Sequence, residues 1–286
     1  MMKKLIVLLL VIFGFLTLQS CKDKSMDLNV MTFNIRLDLA FDSLNSWQYR
    51  KDVAAQIIKK YDADIIGTQE VLPNQMQDLK DRLVEYTAIG VGRDDGANKG
   101  EFSALFYKTS RFKEHDSGTF WLSETPDIPS LGWDAAYPRI ATWAILEDRL
   151  TSKKIFVINT HLDHVGKVAR INGVKLMLEK AKRVAEDYPV ILTGDFNSNP
   201  YSDVVQFVLD EANSFNLVDT RLVSNVVKGK NTTFHDYGRI PLEKQECIDY
   251  IFVDKNFRTD SYEVIEDKLD GVYLSDHNPV VTRISL

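Results

Sequence analysis

The segment from Val190 to Pro200 reads Val-Ile-Leu-Thr-Gly-Asp-Phe-Asn-Ser-Asn-Pro, an apolar strand run that stops on Asp195 and Asn197. A strand ending in Gly-Asp-x-Asn holds an acid and an amide at its carboxyl edge, where α/β and sandwich scaffolds usually place chemistry. Taken alone, the motif also fits a strand-end turn with Asx bonds, because Gly, Asp and Asn favour turns locally. Asn34, Glu70, His161, Asp249, Asp276 and His277 each sit at or just after another β-rich run, however. That recurrence favours one shared site over a set of unrelated turns.

The amino terminus reads as an export signal. Lys3 and Lys4 precede an uncharged apolar run from Leu5 to Leu16, and Leu18-Gln-Ser-Cys21 resembles the bacterial lipoprotein processing signal. The run is shorter than the roughly 20 residues a bilayer core requires, so a cleaved signal over 1–20 is expected rather than a membrane span. Cys21 would carry the lipid, 21–27 would be a short tether, and the product would be an exported bacterial lipoprotein, periplasmic or on the cell surface. Roughly 260 residues remain, enough for one large domain over 28–286 with no linker or repeat to divide it. The formal net charge of -6 gives no support to a nonspecific grip on nucleic acid through a basic surface. Of the two cysteines, Cys247 lies in an apolar run and is expected as a buried free thiol.

Periodicity predicts strands over 28–34, 64–70, 102–108, 140–147, 154–161, 190–195, 247–253 and 278–286. Helices are expected over 52–60, 72–83, 168–188 and 203–212, with Pro189 blocking continuation of the third. Asp249 falls inside its expected strand. The stretch from Trp121 to Trp133 is turn-rich, and its large rings either fold back on the core or line a groove. Many strands with few long helices in one domain suggest two packed sheets with helices outside, an open parallel sheet being the alternative.

Acids embedded in apolar strands are costly unless paired or metal-bound, which describes Glu70, Asp249 and Asp276. Asn34, Glu70 and Asp276 are suitable oxygen donors for a hard cation such as Mg²⁺. With no Cys-x-x-Cys pair or His-Glu-x-x-His helix, zinc is the weaker expectation. Asp276 and His277 are adjacent, so serving one site requires a turn there, which Pro279 favours. Asp249 could orient His277 through a ring nitrogen.

Asn34 after a strand, Thr68-Gln-Glu70, Asn159-Thr-His161, Gly194-Asp-Phe-Asn197, Ile248-Asp-Tyr-Ile-Phe252 and Ser275-Asp-His277, in that order, resemble the signatures of the endonuclease/exonuclease/phosphatase superfamily. The resemblance runs from about Leu28 to Leu286. It implies an α/β, four-layer sandwich of two packed mixed β-sheets flanked by helices, of the DNase I-like kind. It implies a Mg²⁺-dependent hydrolase of phosphodiester or phosphomonoester bonds, with Mn²⁺ a possible substitute. By the same resemblance Glu70 is the principal metal carboxylate with Asn34 and Asp276 nearby, and Asp195 orients or deprotonates the attacking water. Asn197 would hold a phosphoryl oxygen or that water, His277 the scissile phosphate with Asp249 fixing its ring, and His161 would protonate the leaving group or contact phosphate. Arg139 falls where relatives often place a phosphate-facing basic residue.

Phosphate-ester hydrolysis needs an activated water, a cation and donors preorganised for charge at phosphorus, and these residue types supply each part. Substrate class is less constrained. Lys99, Lys108, Arg111 and Lys113 form too weak a cluster for an extended duplex-binding face. Trp121 and Trp133 form no clear membrane-inserting hairpin. A DNase-like endonuclease, a sphingomyelinase-like phospholipase and a noncatalytic lipid-anchored binding module stand as alternatives. Asp163 and His164 either extend the phosphate site, bind a second cation or form a polar approach to the helix near Gly166, whose N–H groups could meet an anion. A phosphate-ester substrate, membrane attachment through the lipid, no dedicated protein partner and a monomer complete the expectation.

Overall fold

The computed structural model describes residues 24–212 and 215–286, so the expected signal peptide, Cys21 and the start of the tether lie outside the described residues. In chain order the strands are β1 (Asp27–Asn34), β2 (Ile65–Val71), β3 (Tyr86–Ile89), β4 (Phe102–Lys108), β5 (Phe112–Trp121), β6 (Ile140–Asp148), β7 (Lys154–His161) and β8 (Val190–Asp195). They continue with β9 (Leu217–Asp219), β10 (Val226–Lys228), β11 (Asp249–Asp254), β12 (Arg258–Val264), β13 (Lys268–Leu269), β14 (Val272–Tyr273) and β15 (Val280–Ser285). Helices are α1 (Trp47–Lys60), α2 (Pro73–Arg82), α3 (Lys167–Ala185), α4 (Asp203–Leu209) and α5 (Thr220–Val223).

One mixed sheet has seven strands in the order β10-β12-β15-β1-β2-β4-β3, and the other has six, β5-β6-β7-β8-β11-β9. Strand periodicity explains why they stack, since successive side chains point to opposite faces. Val30, Ile65, Val157, Ile191 and Ile251 share the core between the sheets. Their chain neighbours Met31 and Ile66 pack outward against α1 and α2. Ile158, Leu192 and Phe252 pack outward against α3 and α4. The result is helix, sheet, sheet, helix, an α/β four-layer sandwich of the DNase I-like kind. β1 with β2 and β7 with β8 are the parallel pairs that α1 and α3 connect, so each helical crossover covers the outer face of its own sheet.

Several boundaries differ from the sequence expectation. α1 starts at Trp47 rather than Asp52, because Trp47 and Arg50 belong to its buried face. Asp249 is the first residue of β11 and not internal to it, since Cys247 and Ile248 precede the strand. β5 is a strand that its polar Lys-Glu-His-Asp-Ser run conceals: it is an edge strand, paired on one side with β6 and largely exposed. Trp121 closes β5 as a buried residue, its Nε1 donating to Arg93 O at 2.7 Å, so this ring belongs to the fold. Cys247 is a buried free thiol, as expected, and burial pushes it up to about 12.

Candidate active site

The facing surfaces of the two sheets change character toward one edge. Inward residues run Val30, Thr32, Asn34 along β1; Val157, Asn159, His161 along β7; and Ile191, Thr193, Asp195 along β8. β11 runs the other way, so Asp249 comes first and is followed inward by Ile251 and Val253. Register places His161 beside Asp195 and Asp195 beside Asp249, so the three stand abreast on one face of their sheet.

A fully buried polar layer lies beneath that edge. Gln69 Nε2 donates to Thr32 Oγ1 at 3.1 Å and to Asn159 Oδ1 at 2.7 Å, and Thr193 Oγ1 reaches the same Asn159 oxygen at 3.0 Å. Asn159 Nδ2 donates to the carbonyls of Thr68 and Ala104 at 2.9 and 3.1 Å. Gly67 permits this approach, because a Cβ there would stand 2.1 Å from Thr193 Oγ1 and 2.5 Å from Asn159 Oδ1.

Above the layer, Asn34 Nδ2 donates to Glu70 Oε1 at 3.1 Å and across the sheets to Asp195 Oδ2 at 3.0 Å. Its oxygen accepts from Arg36 N, so Asn34 bridges two acids here, and serving as an oxygen ligand requires the amide to turn over. Glu70 sits where β2 slips register against β4, with φ 60°, and Leu37 N donates to its second oxygen at 3.0 Å. Such a bulge re-aims a side chain out of the alternating pattern. Arg36 Nη1 lies 3.5 Å from Asp276 and 3.9 Å from Glu70, while its Nε donates to Asp42. Arg50, fully buried, donates to the carbonyls of Ile35, Arg36, Asn45 and Leu274, tying the loop after β1 to the chain just before Asp276.

Asp276 and His277 occupy the bent segment ahead of β15, where His277 bridges Phe234. His277 Nδ1 is 2.9 Å from Asp249 Oδ2 and its Nε2 is 3.8 Å from Asp195 Oδ2. Burial opposes charge on this imidazole, but Asp249, Asp195 and Asp276 outweigh it and lift it to about 10. Burial and the Asp249 charge raise the Asp195 carboxyl to about 7, against the pull of His277 and of Asn197 N–H. At neutral pH His277 is therefore imidazolium, while the Asp195 carboxyl is raised far enough to bind a proton. His161 is the opposite kind of histidine: burial, Arg139 and Arg93 hold it well below its ordinary value, hence neutral. Asn197, at φ 46°, donates to His161 Nε2 at 3.0 Å and Leu162 O at 2.9 Å.

Arg139 precedes β6 and is buried. Its Nε donates to Asp163 Oδ2 at 3.3 Å, Nη2 lies 3.0 Å from His164 Nδ1, and Nη1 has no partner. Asp163 receives the N–H groups of Val165, Gly166 and Ala136; although burial works against its charge, these and Arg139 lower it to about 2. Asp134 takes the N–H groups of Val168 and Ala169. The start of α3 is thus capped by the chain's own acids, which removes the expectation that its N–H groups meet an anion.

Glu70, Arg139, His161, Asp195, Asn197, Asp276 and His277 converge on one cleft of about 550 Å³, with Asn34 and Asp249 behind its floor. Arg36, Arg93, Glu101, Phe234 and Asp236 also line it and carried no expectation from sequence. Arg36 had a signal in its spacing two residues after Asn34, whereas Arg93 and Glu101 sit in a Gly/Asp-rich loop with none beyond its turns. Ligand-type atoms of Asp195, Asp249 and His277 lie within 4.8 Å of one another, a candidate metal-coordinating cluster, and half-buried Glu70 with buried Asp276 adds two more carboxylates beside it. Burial raises the Asp276 carboxyl, and neighbouring Glu70 raises it further. That concentration of oxygen donors suits a hard divalent cation.

The family model for the Endonuclease/Exonuclease/phosphatase family matches residues 31–277. An endonuclease/exonuclease/phosphatase from Bacteroides vulgatus superposes with a TM-score of 0.88 at 45% identity, over 91% of this chain and 99% of that one. The mannosyl-6-phosphatase Bt3783 of Bacteroides thetaiotaomicron VPI-5482 superposes with a TM-score of 0.85 at 37% identity, over 90% and 99%. The CCR4-Not complex 3'-5'-exoribonuclease subunit Ccr4 of Mycosarcoma maydis is 25% identical over 291 residues, 80% of this chain but only 43% of that longer protein. With the matched region spanning nearly all of the sandwich and the acid and histidine cluster in place, the chain belongs to the Endonuclease/Exonuclease/phosphatase family and is a metal-dependent hydrolase of phosphate esters.

Proposed function

We propose that this enzyme is a lipid-anchored phosphomonoesterase that acts outside the cytoplasm on small phosphorylated sugars. The observation that carries the monoester reading is the charge facing the cleft. A monoester dianion brings more negative charge than a diester, and Arg139, whose Nη1 has no hydrogen-bond partner, joins imidazolium His277 to receive it, while a divalent cation would offset the carboxylates that share the cleft. The 37% identical mannosyl-6-phosphatase supports a sugar as the alcohol. Duplex nucleic acid is disfavoured because Lys108 is engaged by Asp62 and Asp64, and Arg111 by Asp64 and Asp148.

A divalent cation, Mg²⁺ with Mn²⁺ as substitute, held by Glu70 and Asp276 with Asn34 beside them, would act as a Lewis acid on a phosphoryl oxygen. The protein supplies the rest. Asp195, with its carboxyl near 7, takes a proton from the attacking water while Asn197 and Asn34 fix its position. His277 presents Nε2–H to the phosphate with its ring held by Asp249, and Arg139 receives a second oxygen. Neutral His161 can carry a proton toward the leaving hydroxyl once the phosphate charge offsets its cationic surroundings.

Phosphate release from mannose 6-phosphate, suppressed by EDTA and restored by Mg²⁺, is the expected result; bis-p-nitrophenyl phosphate and oligoadenylate RNA serve as competing substrates. Preference for either competitor over the sugar phosphate would overturn the monoester reading. The anchor rests on Lys3, Lys4, the apolar run and Leu18 to Cys21. Among the described residues no helix is long and apolar enough to cross a membrane. Palmitate labelling that persists in Cys21→Ala would overturn it.

A further inference from the structure

Arg93 and Glu101 face the same cleft yet cannot serve its phosphate end, because each neutralises the other. Arg93 Nη1 donates to Glu101 Oε2 at 2.8 Å, and Nη2 lies 2.7 Å from Oε1, a two-pronged pair with no net charge. Both side chains are largely buried, and Arg93 Nε makes no hydrogen bond, with Asp94 Oδ1 standing 3.9 Å away. A guanidinium has five N–H donors and a carboxylate about four acceptor positions, so the pair retains unused capacity of both kinds. Hydroxyl groups, which donate and accept at once, match that combination; a phosphate does not.

The loop presenting the pair is built to hold it still. Gly92 N donates to Ala97 O, Arg93 N to Glu101 O and Asp94 N to Lys99 O at 2.9, 3.1 and 3.0 Å. Asp95 Oδ1 accepts from Ala97 and Lys99 N–H at 2.8 and 2.9 Å, and Gly96 and Gly100 take φ of 70° and 78° to close the turns. Buried Trp121 anchors the loop by donating to Arg93 O. Beside the pair stands Tyr137, 52% exposed, with Arg93 Cζ 5.1 Å from its ring centroid and His164 stacked at 6.0 Å. The exposed part of this ring, next to a donor–acceptor pair, offers apolar surface for C–H groups and a phenol for hydroxyls. Glu101 lies near enough to the phosphate end for the charges of Glu70 and Arg139 to act on its carboxyl.

We infer that Arg93, Glu101 and Tyr137 form a hydroxyl-reading subsite that seats the ring of a monosaccharide while its phosphate lies against Arg139 and His277. This rests on the phosphatase reading above and adds the residues that choose the alcohol. Each charge-assisted hydrogen bond contributes more than a neutral one. Glu101→Gln in the full chain is therefore expected to lower kcat/KM for mannose 6-phosphate, relative to that for p-nitrophenyl phosphate, by roughly 10- to 100-fold, chiefly through KM. Tyr137→Leu, at an exposed position, provides a second variant that does not endanger the loop and should raise KM for the sugar phosphate. A ratio within about two-fold of wild type in both variants would overturn the subsite, as would an equal fall for both substrates, which marks a loop staple. Wild-type enzyme that cleaves p-nitrophenyl phosphate but no sugar phosphate would overturn the substrate class itself, before any variant is made.

Discussion

Replacing Asp249 with Asn tests whether this acid works through His277. Burial alone would hold the imidazole below 6.5, yet Asp249 at 2.9 Å, aided by Asp195 and Asp276, brings it to about 10. From 6.5 to about 10 corresponds to ~5 kcal/mol of preference for imidazolium, at about 1.4 kcal/mol per pH unit. Asp249 is the largest favourable contributor, so the amide forfeits a substantial share of that preference and presents either a donor or a neutral acceptor to Nδ1. His277 then becomes a mixture of charge states and tautomers near neutrality. The expected loss in kcat/KM for mannose 6-phosphate under saturating Mg²⁺ is ~10²- to 10⁴-fold, larger at about pH 8.5 than at about pH 6.5, where protonation partly restores the imidazolium. His277→Ala should cost a comparable factor, and the double variant little beyond it, because the two act as one unit. Continuous phosphate-release assays on the four proteins measure the cycle. A double variant showing the full product of the two single losses would refute the coupling and leave Asp249 an independent group.

Glu70→Gln keeps shape but removes a carboxylate charge, so calorimetric titration should show Mg²⁺ affinity falling ~10- to 100-fold; indistinguishable isotherms would exclude Glu70 as the principal ligand. Gly67→Ala forces a methyl into Thr193 and Asn159 and should cost ~1–3 kcal/mol in urea unfolding. Gly173→Ala in α3, whose new methyl would meet Leu122 at an ordinary 3.5 Å, should instead be neutral or stabilising. Because the folded-state pKa of His277 is raised, its contribution to stability is complete below pH 6.5 and disappears as pH rises through about 10. Metal-free wild type should therefore lose its advantage in Tm over His277→Gln across that window, and parallel profiles would contradict the assignment.

What sequence made legible here is what local pattern encodes. Polar residues at strand ends, such as Asn34, His161 and Asp195, advertise an edge because the apolar alternation breaks there. The two-sheet architecture followed from the excess of strands over helices together with family resemblance. β5 escaped because an edge strand needs no apolar face over most of its length. For Asp163 the polar approach to α3 was among the readings the sequence offered, and the structure bears it out; its further partners Ala136 and Arg139 come from a separate segment, so nothing local singled that reading out from a second ligand. Arg93 and Glu101 become a pair only through the turns between them, and Arg50 becomes a clamp only once three distant segments meet.

The amide layer under the cleft has a consequence for how the enzyme keeps its shape. Asn34, Glu70 and Asp276 come with one sheet, and His161, Asp195 and Asp249 come with the other. Aliphatic surfaces sliding past each other meet a shallow energy profile, whereas the directional bonds that cross between the sheets, from Gln69 to Asn159 and from Asn159 to the carbonyls of Thr68 and Ala104, admit a single alignment. These side chains act as dowels between two plates. A misplacement of about 1 Å can cost on the order of 10²-fold in rate, so the span across the scissile phosphate is fixed by groups that never touch it. Loosening the dowels should detune the enzyme well before it unfolds, while the rim that selects the substrate stays free to vary.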